Sequence, residues 1–314
     1  MKKIHIFLSI ILFLLLVSCS KSQVDAEFKY LDENQVEQVY YIKKTEDPEQ
    51  VRQLVDILKK QKADSNFNGI HLKLKSNLEG QVMVDTPEKR SIDLGYNLDI
   101  DAITNFKKYQ LDGTIILDGY TNTESPSLTL KTKDQFTGTV LNDDAFLYMT
   151  GDLKTGNTQI KVKHKLNIQS FTDQYKAMII SSLDVLKYYK LSEFIPNMNN
   201  LVDLYEITIV DTTKDTFTLR LNIYNDLIFP DENIAMKLPV EVIISCNSLL
   251  PIGINLLLDE FISKALQNEY IDKYLSNKVV VNQAKGSVSI EMNYGYFTIE
   301  GLTEKDKQEY KEYK

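Results

Sequence analysis

The sequence predicts a mainly β protein of the α+β class: a large curved antiparallel sheet or half-barrel, with helices plugging its concave apolar face. Three observations predict it. Apolar residues alternate with polar ones over long stretches. One example is Ile160, Val162, His164, Leu166 and Ile168 set against Lys161, Lys163, Lys165 and Asn167. Period-two alternation marks a strand with one apolar and one wet face, and a wet face argues against a doubly wound parallel sheet. Short turn signals separate these stretches: Leu78-Glu79-Gly80, Thr86-Pro87-Glu88, Asn122 to Pro126, Asn142-Asp143-Asp144 and Thr155-Gly156-Asn157. They make consecutive strands antiparallel neighbours. A few segments instead place apolar residues at helical spacing, and they are the candidates to cover an apolar face too large to leave in water.

Residues 20–45 read as a polar lead with one strand-like piece, Val39 to Ile42. A helix over 48–63 follows. Asp47 is its N-cap, Pro48 its first residue and Gln50 its capping-box partner. Val51, Leu54, Val55 and Leu58 form its apolar stripe. Residues 68–169 hold about seven strands in a meander. Tyr175, Met178, Ile179, Leu183 and Leu186 mark a second helix from Thr172, and a cap at Ser192 begins a short segment to about residue 203. Strands resume near 205. Pro239, on the run Met236 to Cys246, indicates an edge or a bulge. Residues 251–275 are helix-like, although Ile252, Ile254 and Leu256 also alternate as in a strand. Val279–Val281 and Val288–Tyr294 give two closing strands of a sheet with about ten to twelve strands in all. No Pro- or Ser-rich linker separates the two strand sets, so residues 46–302 read as one domain, and the charged tail 303–314 reads as frayed or disordered.

The first residues set the location. Lys2 and Lys3 precede an apolar run from Ile6 to Val17, broken only by Ser9, and polar residues follow Cys19 at once. That order is the pattern of a secretory signal, residues 1–18. The run is about a dozen residues, where a spanning helix needs about 20. Its ending, Leu16-Val17-Ser18-Cys19, resembles the lipobox of bacterial lipoproteins. The resemblance implies cleavage before Cys19, diacylglycerol on its thiol and an acyl chain on its new amine. Residues 19–45 then act as a lipidated polar tether. The protein is expected outside the cytoplasm, anchored through Cys19 to the outer face of the cell membrane or to the outer membrane. Two or three chains hold stably, at about 0.8 kcal/mol per buried methylene.

Composition narrows the function further. With 43% hydrophobic and 25% charged residues the chain is globular. Losing Lys2 and Lys3 takes its formal charge from −8 to −10, which argues against nucleic acid as a partner and against a broad electrostatic grip on anionic lipid. Export makes ATP- and nicotinamide-driven chemistry unexpected. Only Cys246 remains as a thiol, so no internal disulfide forms, and its place among Val240, Val242 and Ile244 reads as buried and inert. There are eighteen tyrosines and no tryptophan, so any aromatic platform must use Tyr or Phe.

No catalytic constellation stands out, so no enzyme, cofactor or metal is expected. His71 falls on a wet strand face and His164 on an apolar one, with no third ligand at metal spacing. Asp99, Asp101, Asp118, Asp143 and Asp144 lack a third acid or glycine loop, and turn chemistry and solvation account for them. Serine elbows and phosphate loops are absent. The meander also departs from the two-lobed folds of transporter-binding lipoproteins.

Taken together, the N-terminal amphipathic helix, long meander, middle helical insertion and closing strands behind a lipobox resemble the LolA/LppX-type superfamily. Members are half-barrels plugged by helices that carry lipoprotein acyl chains or other lipids through the cell envelope. The resemblance implies a lipid or acyl ligand held between sheet and helices. The candidate lining is the inward face: Leu72, Leu74, Leu128, Leu130, Phe136, Val140, Ile160, Val162, Phe217, Leu219, Leu221, Val242, Ile244, Ile290 and Met292. The alternative is a non-catalytic envelope interaction or sensor lipoprotein with a filled core. A carrier needs several hundred cubic ångströms of connected apolar space, whereas a filled core packs to a density near 0.74.

Overall fold

The computed structural model describes residues 25–32, 34–60, 66–84, 89–108, 110–143, 146–168, 205–224, 237–259 and 279–312. The expected signal peptide, Cys19 and the helices expected at 172–203 and beyond 259 lie outside the described residues. Among the described residues the chain is mainly β, with an open sheet.

Two short strands come first, β1 (Ala26–Leu31) and β2 (Glu37–Ile42), paired as a separate hairpin. This corrects the reading of 19–45 as a polar tether: Ala26, Phe28 and Ile42 are buried in the core. Helix α1 (Pro48–Lys60) begins as its residues dictate. The Glu49 amide donates to Asp47 Oδ1 at 3.0 Å, and Gln50 Nε2 donates to Asp47 Oδ2 at 3.2 Å.

Among the described residues the expected meander over 68–169 has six strands where about seven were expected, because the turn signal Leu78-Glu79-Gly80 lies inside one long strand. They are β3 (Gly69–Val84), β4 (Arg90–Asn105), β5 (Gln110–Ser125), β6 (Leu128–Asp143), β7 (Phe146–Thr155) and β8 (Thr158–Asn167). The first four run 16 residues each, roughly 50 Å at about 3.3 Å per residue. Gly156, at φ 55°, supplies the left-handed residue in the tight turn between β7 and β8.

A second meander holds β9 (Thr208–Thr212), β10 (Thr216–Tyr224), β11 (Lys237–Ser245), β12 (Pro251–Leu257) and β13 (Val279–Gly295). The two closing strands expected at 279–281 and 288–294 are thereby corrected to one, continuous across a bulge between Val281 and Gln283. The segment from 251 therefore opens as a strand, so the helical reading of its first seven residues is corrected: the alternation of Ile252, Ile254 and Leu256 prevailed. Pro239 sits in an interior strand without breaking a ladder. Its partner Asn222 donates its amide to Tyr205 on the opposite side, and the β11–β12 ladder starts only at Val240.

β13 returns beside β3 and fuses the meanders into one sheet of order β8-β7-β6-β5-β4-β3-β13-β12-β11-β10-β9. The tail completes it. A one-turn helix, α2 (Glu304–Lys307), leads to β14 (Lys311–Glu312), which pairs in parallel with β8. The expectation of a disordered tail is thereby corrected. Lys307 Nζ lies 3.1 Å from the buried carboxylate of Asp143, Lys163 bonds Glu309, and Tyr310 packs on Tyr148 at 5.0 Å. Asp143, then Glu304, hold the Lys307 ammonium well above the ordinary lysine range. Both sheet edges are thus blunted: β8 by β14, and β9 by mutual backbone bonds between Thr45 and Ile209 at 3.0 and 2.9 Å.

The closed core occupies one end of the sheet. Val51, Leu54, Val55 and Leu58 of α1 and Phe28 of the hairpin press on Ile209, Phe217, Leu219, Ile244 and Cys246. None of this cluster comes from β3–β8. We expect Leu54→Ala to cost about 2–5 kcal/mol in a denaturant melt, because its site is walled on all sides. Truncation after residue 302 is expected to speed amide hydrogen exchange in β8 while leaving β10 and β11 protected.

Candidate functional site

Strand register decides where the predicted lining falls, because directly paired residues share a face. One row runs across the sheet through consecutive pairs: Leu219, Val242, Ile254, Ile290, Leu74, Ile100, Ile115, Gly138, Gly151 and Val162. It touches ten strands and spans roughly 43 Å at about 4.8 Å per strand. The two glycines do not open gaps, since Phe136 lies against both: a Cβ on Gly138 would meet its ring at 2.8 Å, and one on Gly151 at 3.1 Å. Flanking rows hold Met292, Leu72 and Ala102 on one side and Leu98, Leu117, Phe136, Leu153 and Ile160 on the other.

All fifteen predicted lining positions lie on this one face by register, but they do not share one environment. Phe217, Leu219 and Ile244 are buried beneath α1 and the hairpin, with Leu221 and Val242 packed against them. These five belong to the closed core and do not line open space. Leu72, Leu74, Phe136, Val140, Ile290 and Met292 are half-buried. Leu130 and Ile160 are each 52% exposed and Val162 is 42% exposed, so the far end of the face meets solvent. Leu128 shares the face, opposite Ser125.

Ile100, Ile115, Leu98, Leu117 and Ile254 belong to the same surface and were missed as lining. Their signal was present: Ile92, Leu94, Tyr96, Leu98 and Ile100 alternate with Asp93, Gly95, Asn97 and Asp99.

The opposite face is polar and ion-paired. Lys73 faces Asp101, Lys75 faces Asp99, Glu79 faces Lys285 and Arg220 faces Glu241. His71 Nε2 lies 2.6 Å from Asp101 Oδ1, and Lys73 lies 3.7 Å from the same carboxylate. His164 pairs with Met149 on the apolar face. The two histidines therefore project from opposite sides of the sheet and cannot share a metal. No group of three metal-ligating side chains occurs among the described residues. Asp143, expected to be solvated in a turn, is instead buried and tied to Lys307. No described helix is long and apolar enough to cross a membrane.

Burial first, then the carboxylates of Asp215 and Glu27, push the Cys246 thiol from its ordinary 9.0 up to about 11. Such a thiol is a poor nucleophile near neutral pH. Because the folded state holds this proton more tightly, the thiol's contribution to stability is complete below pH 9.0 and is lost as pH climbs towards about 11. The expected result is that wild-type stability falls across that window relative to Cys246→Ala. A thiol reagent near pH 8 should label Cys246 only after denaturant is added.

No family model matches the chain, and no curated protein does. Among solved structures, a β-barrel-like protein of a domain of unknown function (DUF1849) from Brucella abortus matches at 7% identity and a TM-score of 0.22, covering 73% of this chain and 98% of that one. A likeness this distant carries no argument about fold or function.

Proposed function

We propose that this is an exported lipoprotein, held to the membrane through acylated Cys19, that binds or transfers lipid or acyl chains without catalysis. One observation carries the reading. The apolar face continues well beyond the closed core, from Ile254 to Val162, and ends in side chains about half exposed. A contiguous apolar face of that extent suits a flexible hydrocarbon better than a polar solute. The expected plug, helices at 172–200 and after 259, belongs to the same proposal. Their apolar stripes would roof the face, with acyl chains between roof and sheet, as the resemblance to the LolA/LppX-type superfamily implies.

The test is native mass spectrometry of the chain from Ser20 onward, secreted without its anchor. Copurifying lipid supports the proposal. Ile100→Glu, at the middle of the row, is expected to weaken fatty-acid binding about tenfold or more, equivalent to roughly 1.4 kcal/mol. Circular dichroism of that variant should match wild type. A clean apo mass, with no saturable fatty-acid uptake, would instead favour an interaction or sensor lipoprotein with a filled core.

A further inference from the structure

The polar face carries a second surface, and it does not rest on the lipid reading. Tyr120, on β5, is 42% exposed in the middle of that face. Its ring lies directly over the β4 backbone at Gly95: a Cβ there would sit 2.5 Å from Cε1 and 2.8 Å from Cζ. Only glycine leaves room for the ring in this position. On the apolar face the arrangement is reciprocal, with Tyr96 lying over Gly119. With 42% of the residue exposed, part of the ring is open to solvent.

A hollow adjoins each side of that ring. One, of about 420 Å³, is lined by Asn97, Asp118, Asn122, Lys131 and Lys133. The other, of about 230 Å³, is lined by Glu79, Gln81, Asp93, Gln283 and Lys285, and it shares Tyr120 and Asn122 with the first. The lining chemistry is specific. Four amides offer donor and acceptor on one group, as a hydroxyl does. The three carboxylates and three ammonium groups cancel. The strip therefore has no net field to draw a polyanion, and the chain's formal charge of −8 opposes one. Five strands contribute, β13, β3, β4, β5 and β6, a reach of roughly 19 Å across four gaps of about 4.8 Å.

We propose that this strip binds a neutral pyranose oligosaccharide. One sugar stacks its C–H face on Tyr120, and its neighbours place hydroxyls against the amides and carboxylates of the two hollows. The aromatic ring supplies apolar contact at low entropic cost, and the polar groups supply orientation. The apolar side of the sheet is untouched, so binding here would not compete with a ligand held there.

The experiment is calorimetry and saturation-transfer NMR on the full chain in a sugar-free detergent, with cellotetraose and chitotetraose as probes and dextran sulfate as the polyanion. Saturable binding of at least one tetrasaccharide is expected, with none of dextran sulfate. Tyr120→Leu keeps an apolar side chain over Gly95 but removes the planar face, and it should weaken binding about tenfold. Tyr120→Phe should stay within about threefold of wild type, since the stacking face remains. Asn122→Ala leaves ring and glycine in place and should also weaken binding. Fatty-acid uptake should be unchanged in all three variants, so the two readings fail separately. The proposal is overturned if neither tetrasaccharide binds, if dextran sulfate is preferred, or if Tyr120→Leu binds as tightly as wild type.

Discussion

The pairing of β13 with β3 is the constraint on which the rest of the molecule depends. It joins two meanders that are far apart in sequence, and it sets Ile290 against Leu74 and Met292 against Leu72. That register makes the apolar sides of both meanders one continuous surface. A slip of one residue would turn every side chain of one meander to the opposite face, exposing Leu74 and burying Lys73 and Lys75. The ladder tolerates a bulge near Asn282, at the far end of β13, without losing the match at its centre.

The two faces then follow different physics. The apolar one is covered by α1 and the β1–β2 hairpin only at the β9–β11 end, where Val51, Leu54, Val55 and Phe217 leave the solvent almost completely. Away from that end the same face thins out into half-buried and exposed side chains. The polar one needs no cover. Its cross-strand charges alternate in sign, and glycines at Gly95 and Gly119 let tyrosines pack close against both sides of the sheet. One sheet can thus present a hydrocarbon-compatible surface and a hydroxyl-compatible surface back to back.

Much of this was legible in the residues, because strict alternation admits only one facing for each strand. Leu72, Leu74, Ile160 and Val162 could be assigned a face before any pairing was known. The capping of α1 by Asp47 was equally local, resting on a side-chain oxygen two residues from the amide it receives. What stayed illegible was long-range. The sequence near Phe28 looks polar because only every second residue of the hairpin is buried. The tail looks disordered because its anchors, Asp143 and Tyr148, lie more than 150 residues earlier. The separation of Phe217 and Ile244 from Leu130 and Ile160 was hidden too: alternation shows which face a residue takes, not what lies above it. The strand at 251–257 was obscured because Ile254 and Leu257 also continue, at helical spacing, into Leu258, Phe261 and Ile262.

The most direct measurement of whether the apolar face holds a ligand is photocrosslinking with a diazirine-bearing fatty acid, read residue by residue. The account predicts saturable adducts at Ile100, Ile115 and Phe136, removed by excess unlabelled fatty acid. Adducts at the neighbouring polar-face positions Asp99, Ile116 and Gln135 in their place, or no saturable labelling at all, would contradict it.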